Sequence, residues 1–290
     1  MKILVLGGDG MLGHQLIYSL AGSHDVECTL RRPVADYNGL AIFDSSTCYY
    51  ETDIRDTQKI ASILDESRPK VVINGVGIVK QRPESQESMS SIEINALAPH
   101  QIAELCRERD IRFVHVSTDC VFDGKKGAYT ESDPCNVSDI YGLTKYLGEV
   151  HTSNAITLRT SIIGHELSRK TGLLEWFLAQ DAEIDGYRNA IFSGLTTVEL
   201  ANVVDMLVTR FPSASGLYHV ASNPISKYEL LGMFKSTYGK DVTINPDDSF
   251  KCDRSLNADR FNSDFGYASP DWPQLVTTMR NDYEGRSSDV

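Results

Sequence analysis

Basic charge is what this chain most conspicuously has too little of. Lys and Arg number 28 against 40 Asp and Glu, a formal net charge of -12 at pH 7. A general nucleic-acid binder needs a cationic face, so no nucleic-acid partner is expected. An anionic substrate would have to be held by local cations and backbone N–H groups. Long hydrophobic runs are missing as well. No window approaches the roughly 18 apolar residues of a membrane-spanning helix, so no membrane partner is expected. The opening run Ile3–Leu6 is too short for a secretory leader, and the glycines after it form no cleavage site. A cytoplasmic location is therefore expected. Cys28, Cys48, Cys106, Cys120, Cys135 and Cys252 form no C-x-x-C pair, and no H-E-x-x-H occurs. Neither a disulfide framework nor a zinc site is expected, and no acidic cluster demands another metal. Internal repeats and low-complexity segments are also lacking.

What is present is the material of a globular core, 41% hydrophobic and 23% charged residues. The N-terminal half alternates strand-like and helix-like segments. Strands are predicted at 2–7, 25–30, 70–75, 112–118 and 155–164, and helices at 11–22, 57–68, 91–110 and 137–153. Strands separated by helices of that length predict an α/β fold, a doubly wound parallel sheet of the Rossmann type. Beyond Gly164 the pattern loosens. Helices are predicted at 172–180 and 197–211 and one more strand at 216–222. The remainder, with Pro246, Pro270 and Pro273, predicts a smaller irregular lobe, and the terminal "EGRSSDV" a disordered tail. The expected division is 1–164 with 195–222 returning to it, and a second lobe of 165–194 and 223–290.

The stretch "GGDGMLG" places Gly7, Gly10 and Gly13 at the first strand-to-helix turn. Such spacing suits a dinucleotide. Gly7 permits the tight turn, Gly10 a close approach of backbone to pyrophosphate, and Gly13 close packing of helix on sheet. The helix N-terminus then offers N–H groups to phosphate. The second strand ends in Arg31 and Arg32. Two guanidiniums there favour the 2′-phosphate of NADPH, with NADH the other option. Asp53 and Ile54, at the end of the next strand, are placed to contact adenine.

Tyr141 and Lys145 stand four apart in "DIYGLTKYLGEV" and so share a helix face. Ser117 and Thr118 end a predicted strand, where open α/β sheets bind ligands. A hydroxyl, a phenol and an ammonium beside a nicotinamide could reduce a carbonyl, which needs a hydride on carbon and a proton on oxygen.

Together, "GGDGMLG", "STDCVFDG" and "YGLTKYLGE" resemble the extended short-chain dehydrogenase/reductases, most of all the dTDP-4-dehydrorhamnose reductase group. The resemblance covers the first ~165 residues well and the rest loosely. It implies a triad of Thr118, Tyr141 and Lys145: Tyr141 as proton donor, Lys145 holding the nicotinamide ribose, Thr118 bonding the substrate oxygen. It implies Asp9, Gly10, Met11 and Leu12 along the pyrophosphate, and Asn74, Gly75, Val76 and Gly77, with Ser117, lining the cofactor. Asn95 matches a helix asparagine of the wider superfamily. The substrate implied is a nucleotide-linked 4-keto-6-deoxyhexose, reduced at C4, and a homodimer is compatible with the group. Asp119 and Arg254 are the further substrate candidates, Arg254 for the diphosphate, and the second lobe is implied to bind substrate. Two residues depart from the pattern: Ile162 stands where the group often has tryptophan, and Cys120 replaces the tyrosine of S-T-D-Y. Trp176 is a further pocket candidate, with core packing the competing expectation. An epimerase or dehydratase on the same scaffold is one alternative. A non-catalytic NADP-binding regulatory subunit, as the β subunit of methionine adenosyltransferase resembles this group, is another.

Overall fold

The fold is taken from a computed structural model that describes residues 1–43, 47–78, 88–168 and 171–287. Chain alternation builds the first sheet as the sequence predicts. Strand β1 (Lys2–Leu6) leads through helix α1 (Met11–Leu20) to β2 (Asp25–Thr29) and then to β3 (Cys48–Tyr49). Helix α2 (Thr57–Ser67) carries the chain back to β4 (Val71–Asn74). Helices α3 (Ser88–Ser91) and α4 (Ala98–Arg107) precede β5 (Arg112–Thr118), and α5 (Ile140–Leu147) precedes β6 (Ala155–Thr160). The seven-stranded sheet has the order β10-β6-β5-β4-β1-β2-β3, with β10 spanning Gly216–His219. The pairs β1–β2, β2–β3, β1–β4 and β4–β5 are all parallel. The chain thus runs outward from β1 in one direction, then from β4 in the other. That reversal is the topological switch point, where a crevice opens at the strands' carboxyl ends.

Burial explains why these segments fold as they do. Ile3, Leu4, Val5 and Leu6 are all fully buried, as a central parallel strand covered on both faces must be. Helix α2 buries Ile60, Ile63, Leu64 and Ser67, a single stripe, and is started by Asp56, whose side chain accepts from Lys59 N–H. Ile60, Ile63 and Leu64 join Ile102, Cys106 and Phe113 in one core.

Three predicted elements are corrected. The long helix before β5 is not uniformly α. Ile92–Leu97 is π-helical, with Ala98 N–H bonded to Glu93 C=O. Pro99 follows at once and has no N–H to extend the ladder. Helix α5 is confined to Ile140–Leu147, not 137–153: Asp139 caps its start, and Gly148 ends it against backbone, where a Cβ would lie 1.9 Å from Asn95 C=O. The strand predicted over 155–164 breaks after Thr160 and resumes as β7 (Ile162–Ile163).

The chain divides into two compact units. The first comprises Met1–Thr118, Ser138–Leu158 and Ala201–Leu217, the second Asp119–Val137, Arg159–Leu200 and Tyr218–Val290. The remaining elements are α6 (Leu173–Leu178), β8 (Glu183–Phe192), β9 (Leu195–Thr196), α7 (Thr197–Arg210), β11 (Ile225–Ser226), α8 (Lys227–Tyr238), β12 (Thr243–Asp253), α9 (Asp259–Phe265) and α10 (Trp272–Ser287). The stretch expected to be irregular is in fact regular. A sheet of order β11-β8-β12 packs on a core containing Phe177, Leu230, Phe234 and Val276. Its strands escape the sequence pattern because β12 carries Pro246 opposite Gly186 and a register shift between Asp247 and Lys251. Helix α8 is easier to read: Ser226 and Glu229 form a full capping box, and Gly239 closes the other end at φ 63°. Of the tail expected to be disordered, residues 284–287 continue α10, and the rest lies outside the described residues. Among the described residues no helix is long and apolar enough to cross a membrane.

Candidate active site

The glycine loop follows β1 and therefore lies at the switch point. Gly7 adopts φ +78°, and its N–H donates to Thr29 Oγ1 at 3.1 Å. Gly8 N–H donates to Thr29 C=O at 2.9 Å, which ties the loop to β2. Gly10 is the N-cap of α1 and supplies no side-chain acceptor. The N–H groups of Met11, Leu12 and Gly13 are thus left for an external acceptor, while His14 N–H returns to Gly10 C=O. A Cβ on Gly13 would lie 2.0 Å from Gly7 C=O, so α1 approaches β1 more closely than any side chain allows. This cradle fits the pyrophosphate of a dinucleotide.

Arg31 and Arg32 are exposed at the end of β2. The Arg32 guanidinium lies 4.9 Å from the Tyr37 ring centroid, 3.9 Å from Asp9 and 3.8 Å from Asp36. Tyr37 OH donates to Asp9 at 3.0 Å. Asp9 thus anchors the ring on which Arg32 rests, a role no motif announces. Asp53 is engaged by Arg55 through Nε at 2.9 Å and Nη2 at 2.7 Å, and that guanidinium holds the Asp53 carboxyl below its usual range. The Ile54 side chain is buried in the core, so the structure does not bring it to the surface where adenine was expected.

Thr118 and Ser117 end β5, both buried. Lys145 reaches this strand end from α5, its Nζ donating to Val116 C=O at 2.7 Å. Burial pushes its ammonium down to about 8, and the Glu149 charge opposes that shift. Glu149 is itself buried and accepts from Ser117 Oγ at 2.8 Å. Tyr141, half-buried, lies one turn before Lys145 on the same helix face. Asn74 Oδ1 accepts from Val76 N–H at 3.0 Å, and its Nδ2 donates to His115 Nδ1 at 3.2 Å. His115 is fully buried, and burial, with the Lys145 charge, drives its basicity well down. Asn95 clasps the backbone of Ile78, accepting its N–H at 2.9 Å and donating to its C=O at 3.1 Å. Gly77 lies beside that carboxamide, and Gly75 N–H is spent on Leu6 C=O. The first unit therefore brings together Asn74, Val76, Asn95, Ser117, Thr118 and Lys145 at the carboxyl ends of β4 and β5, with Tyr141 on the helix that supplies the lysine.

In the second unit, Asp119 begins a 3-10 turn and is buried. Arg254 Nε donates to Phe122 C=O at 2.7 Å, and its chain passes close to Gly124. Trp176 is 38% exposed, while Leu174 and Phe177 of the same helix are buried, so core packing does not account for it. Among the described residues no group of His, Cys, Asp and Glu could hold a metal ion.

Comparison with known families matches the RmlD substrate binding domain over residues 1–282. The chain belongs to that family. Among its relatives is the dTDP-4-keto-6-deoxy-D-glucose reductase of Streptomyces niveus, 26% identical over 82% of this chain and 79% of the relative. The dTDP-4-dehydrorhamnose reductase of Escherichia coli K12 is 25% identical over 97% and 98% of the two chains. A solved dTDP-4-dehydrorhamnose reductase of Bacillus anthracis, in complex with NADP, shares the fold with a TM-score of 0.80, at 20% identity over 97% of this chain and 99% of that one.

In this family member, two side chains at the strand end, Glu149 and His115, lie outside the site residues expected from the sequence. Glu149 stands at the end of "YGLTKYLGE", so the motif contains it, but only the fold shows it buried against Ser117. His115 carries no sequence signal: an alternating position of β5 does not say whether its partner is Asn74 or solvent.

Proposed function

We propose that the protein is an NADPH-dependent reductase of the 4-keto group of a nucleotide-linked 4-keto-6-deoxyhexose, with dTDP as the nucleotide. The observation that carries this reading is Lys145, buried and bonded to Val116 C=O at the carboxyl end of β5, on the helix that presents Tyr141. Membership of a family whose relatives bear reductase names supports it. The Rossmann cradle fits the cofactor, and the solved Bacillus anthracis relative is a complex with NADP.

The N–H groups at the start of α1 would hold the pyrophosphate, and Arg31 and Arg32 the 2′-phosphate. Lys145 would hold the nicotinamide ribose. When bound, the dihydronicotinamide supplies the hydride that the carbonyl carbon accepts. Tyr141 donates its phenolic proton to the carbonyl oxygen as that oxygen gains charge. Lys145 supplies the positive charge that stabilises the phenolate left behind. Thr118 donates a hydrogen bond to the same oxygen and fixes the carbonyl. Glu149 keeps the Lys145 ammonium charged despite its burial. In this scheme Asp119 and Arg254 belong to substrate binding.

NADPH oxidation at 340 nm with dTDP-4-keto-6-deoxyhexoses, wild type beside Tyr141→Phe, tests the proposal. Turnover in the wild type that falls by a factor of about 100 or more in the variant is the expected result. An equally active variant removes the proton-transfer role. A wild type that binds NADPH and turns over no such sugar removes the reductase reading.

A further inference from the structure

Two thiols face each other beside the cofactor cradle of the first unit. Cys28 on β2 and Cys48 on β3 are both free, and they stand in register as partners in a parallel pair. Their side chains therefore leave the same face of the sheet. The sulfurs are 3.4 Å apart, one thiol donating to the other. Neighbouring strands run about 4.8 Å apart, and a disulfide joins Cα atoms about 4.4–6.8 Å apart. The bond can thus close without a change of register. Cys28 is 2% exposed, whereas Cys48 is half-buried, so an oxidant from solvent meets Cys48 first. The hydrogen bond to Cys48, and burial after it, hold the Cys28 thiol well above its ordinary range. By itself Cys28 is inert.

Both sulfurs are tied to parts of the cradle. That of Cys28 packs on the glycine loop, where a Cβ on Gly8 would lie 2.8 Å from it. Cys48 sits on the strand that ends the sheet, only two residues long. Around it, Tyr49 C=O accepts from Leu30 N–H at 2.9 Å, and Glu51 N–H donates to Arg32 C=O at 3.2 Å. Closing the bond brings the sulfurs from 3.4 Å to about 2.05 Å. If Cys28 yields, its sulfur moves against Gly8. If β3 yields, it draws on the backbone that carries Arg31 and Arg32. Either movement reaches the cradle.

Resting for its effect on the cofactor reading above, we propose that Cys28 and Cys48 form a reversible disulfide under peroxide and that this bond weakens NADPH binding. The Cys48 sulfur attacks the peroxide O–O bond and becomes a sulfenic acid, and the departing oxygen takes up the thiol proton and leaves as water. The Cys28 sulfur then attacks the Cys48 sulfur from 3.4 Å, a separation suited to direct attack. It displaces the hydroxyl, which leaves as a second water with the Cys28 proton. The two thiols lose two hydrogens between them, and one peroxide becomes two waters. A dithiol reverses the bond by exchange.

Treatment of the intact chain with a small excess of hydrogen peroxide, then alkylation and digestion without reductant, tests the linkage. Fluorescence titration with NADPH before and after treatment tests the effect. A peptide joining Cys28 to Cys48 should appear, and NADPH affinity should fall about tenfold, the equivalent of one hydrogen bond in the cradle. Dithiothreitol should reverse both changes. Cys48→Ser should bind NADPH as the reduced wild type does and keep that affinity under peroxide. Two cysteines found separately alkylated after treatment would overturn the proposal. So would a linked peptide with unchanged NADPH affinity, or an equal loss of affinity in Cys48→Ser. The peptide map is made on the wild type and needs no folded variant. Reduced protein that binds no NADPH sinks the cofactor reading and the effect claimed here, whereas the map still decides the linkage.

Discussion

Replacing Lys145 by methionine separates what this residue does for stability from what it does for chemistry. Its side chain is 6% exposed, and burial lowers its pKa from 10.5 to about 8. At 1.36 kcal/mol per unit, holding the ammonium in the folded state costs about 3 kcal/mol. The hydrogen bond to Val116 C=O returns about 1.5–3 kcal/mol of that, and methionine forfeits it. At pH 7 the variant should therefore be as stable as the wild type or up to about 2 kcal/mol more stable, although inactive. The pH dependence is the sharper measure. Below pH 8 the lysine is charged in both folded and unfolded chains, and the full cost is present. Between pH 8 and 10.5 the folded lysine is neutral while the unfolded one keeps its proton. The unfolded state then binds more protons, so wild-type stability rises with pH relative to the variant. Urea unfolding of both proteins at intervals from pH 7 to pH 10 should show the wild type gaining about 2–3 kcal/mol on Lys145→Met. Parallel curves over that range would refute the argument that Lys145 is charged and poorly solvated in the folded protein.

Two further expectations concern the cofactor cradle. Gly13→Ala places a methyl 2.0 Å from Gly7 C=O, an overlap that only a shift of α1 can relieve. Overpacking of this kind costs about 1–3 kcal/mol, so thermal melts should fall several degrees, and fluorescence titration should show weaker NADPH binding. A variant with unaltered melting and NADPH affinity would contradict the close approach. Changing Arg31 and Arg32 together to alanine removes the exposed guanidiniums at the end of β2 and should weaken NADPH about 10–100-fold while leaving NADH within about twofold. Equal losses for the two cofactors would mean that the arginines do not read the 2′-phosphate.

The elements that were legible in the sequence are those whose signals are local. The run Lys2–Leu6 followed by glycines, the stripe Ile60, Ile63 and Leu64 behind a capping aspartate, and the i, i+4 pair Tyr141 and Lys145 all depend on neighbours within a turn or a strand. Strand β12 was hidden because its proline and register shift break the period of two, and its partner β8 lies some 60 residues away in the chain. The limits of α5 were misplaced because Gly148 stops that helix against Asn95, 53 positions earlier.

By itself the sequence determined the alternation that yields a parallel sheet, the glycine spacing at its first turn and the residue types at the site, since these follow from periodicity and side-chain chemistry. The tertiary structure alone decided the environment of each group. Burial lowers Lys145, Glu149 meets Ser117 across 32 positions, the Ile54 side chain turns into the core, and Cys28 meets Cys48 across 20. Solvation and electrostatic fields depend on everything packed around a group, and most of what packs there is distant in the chain.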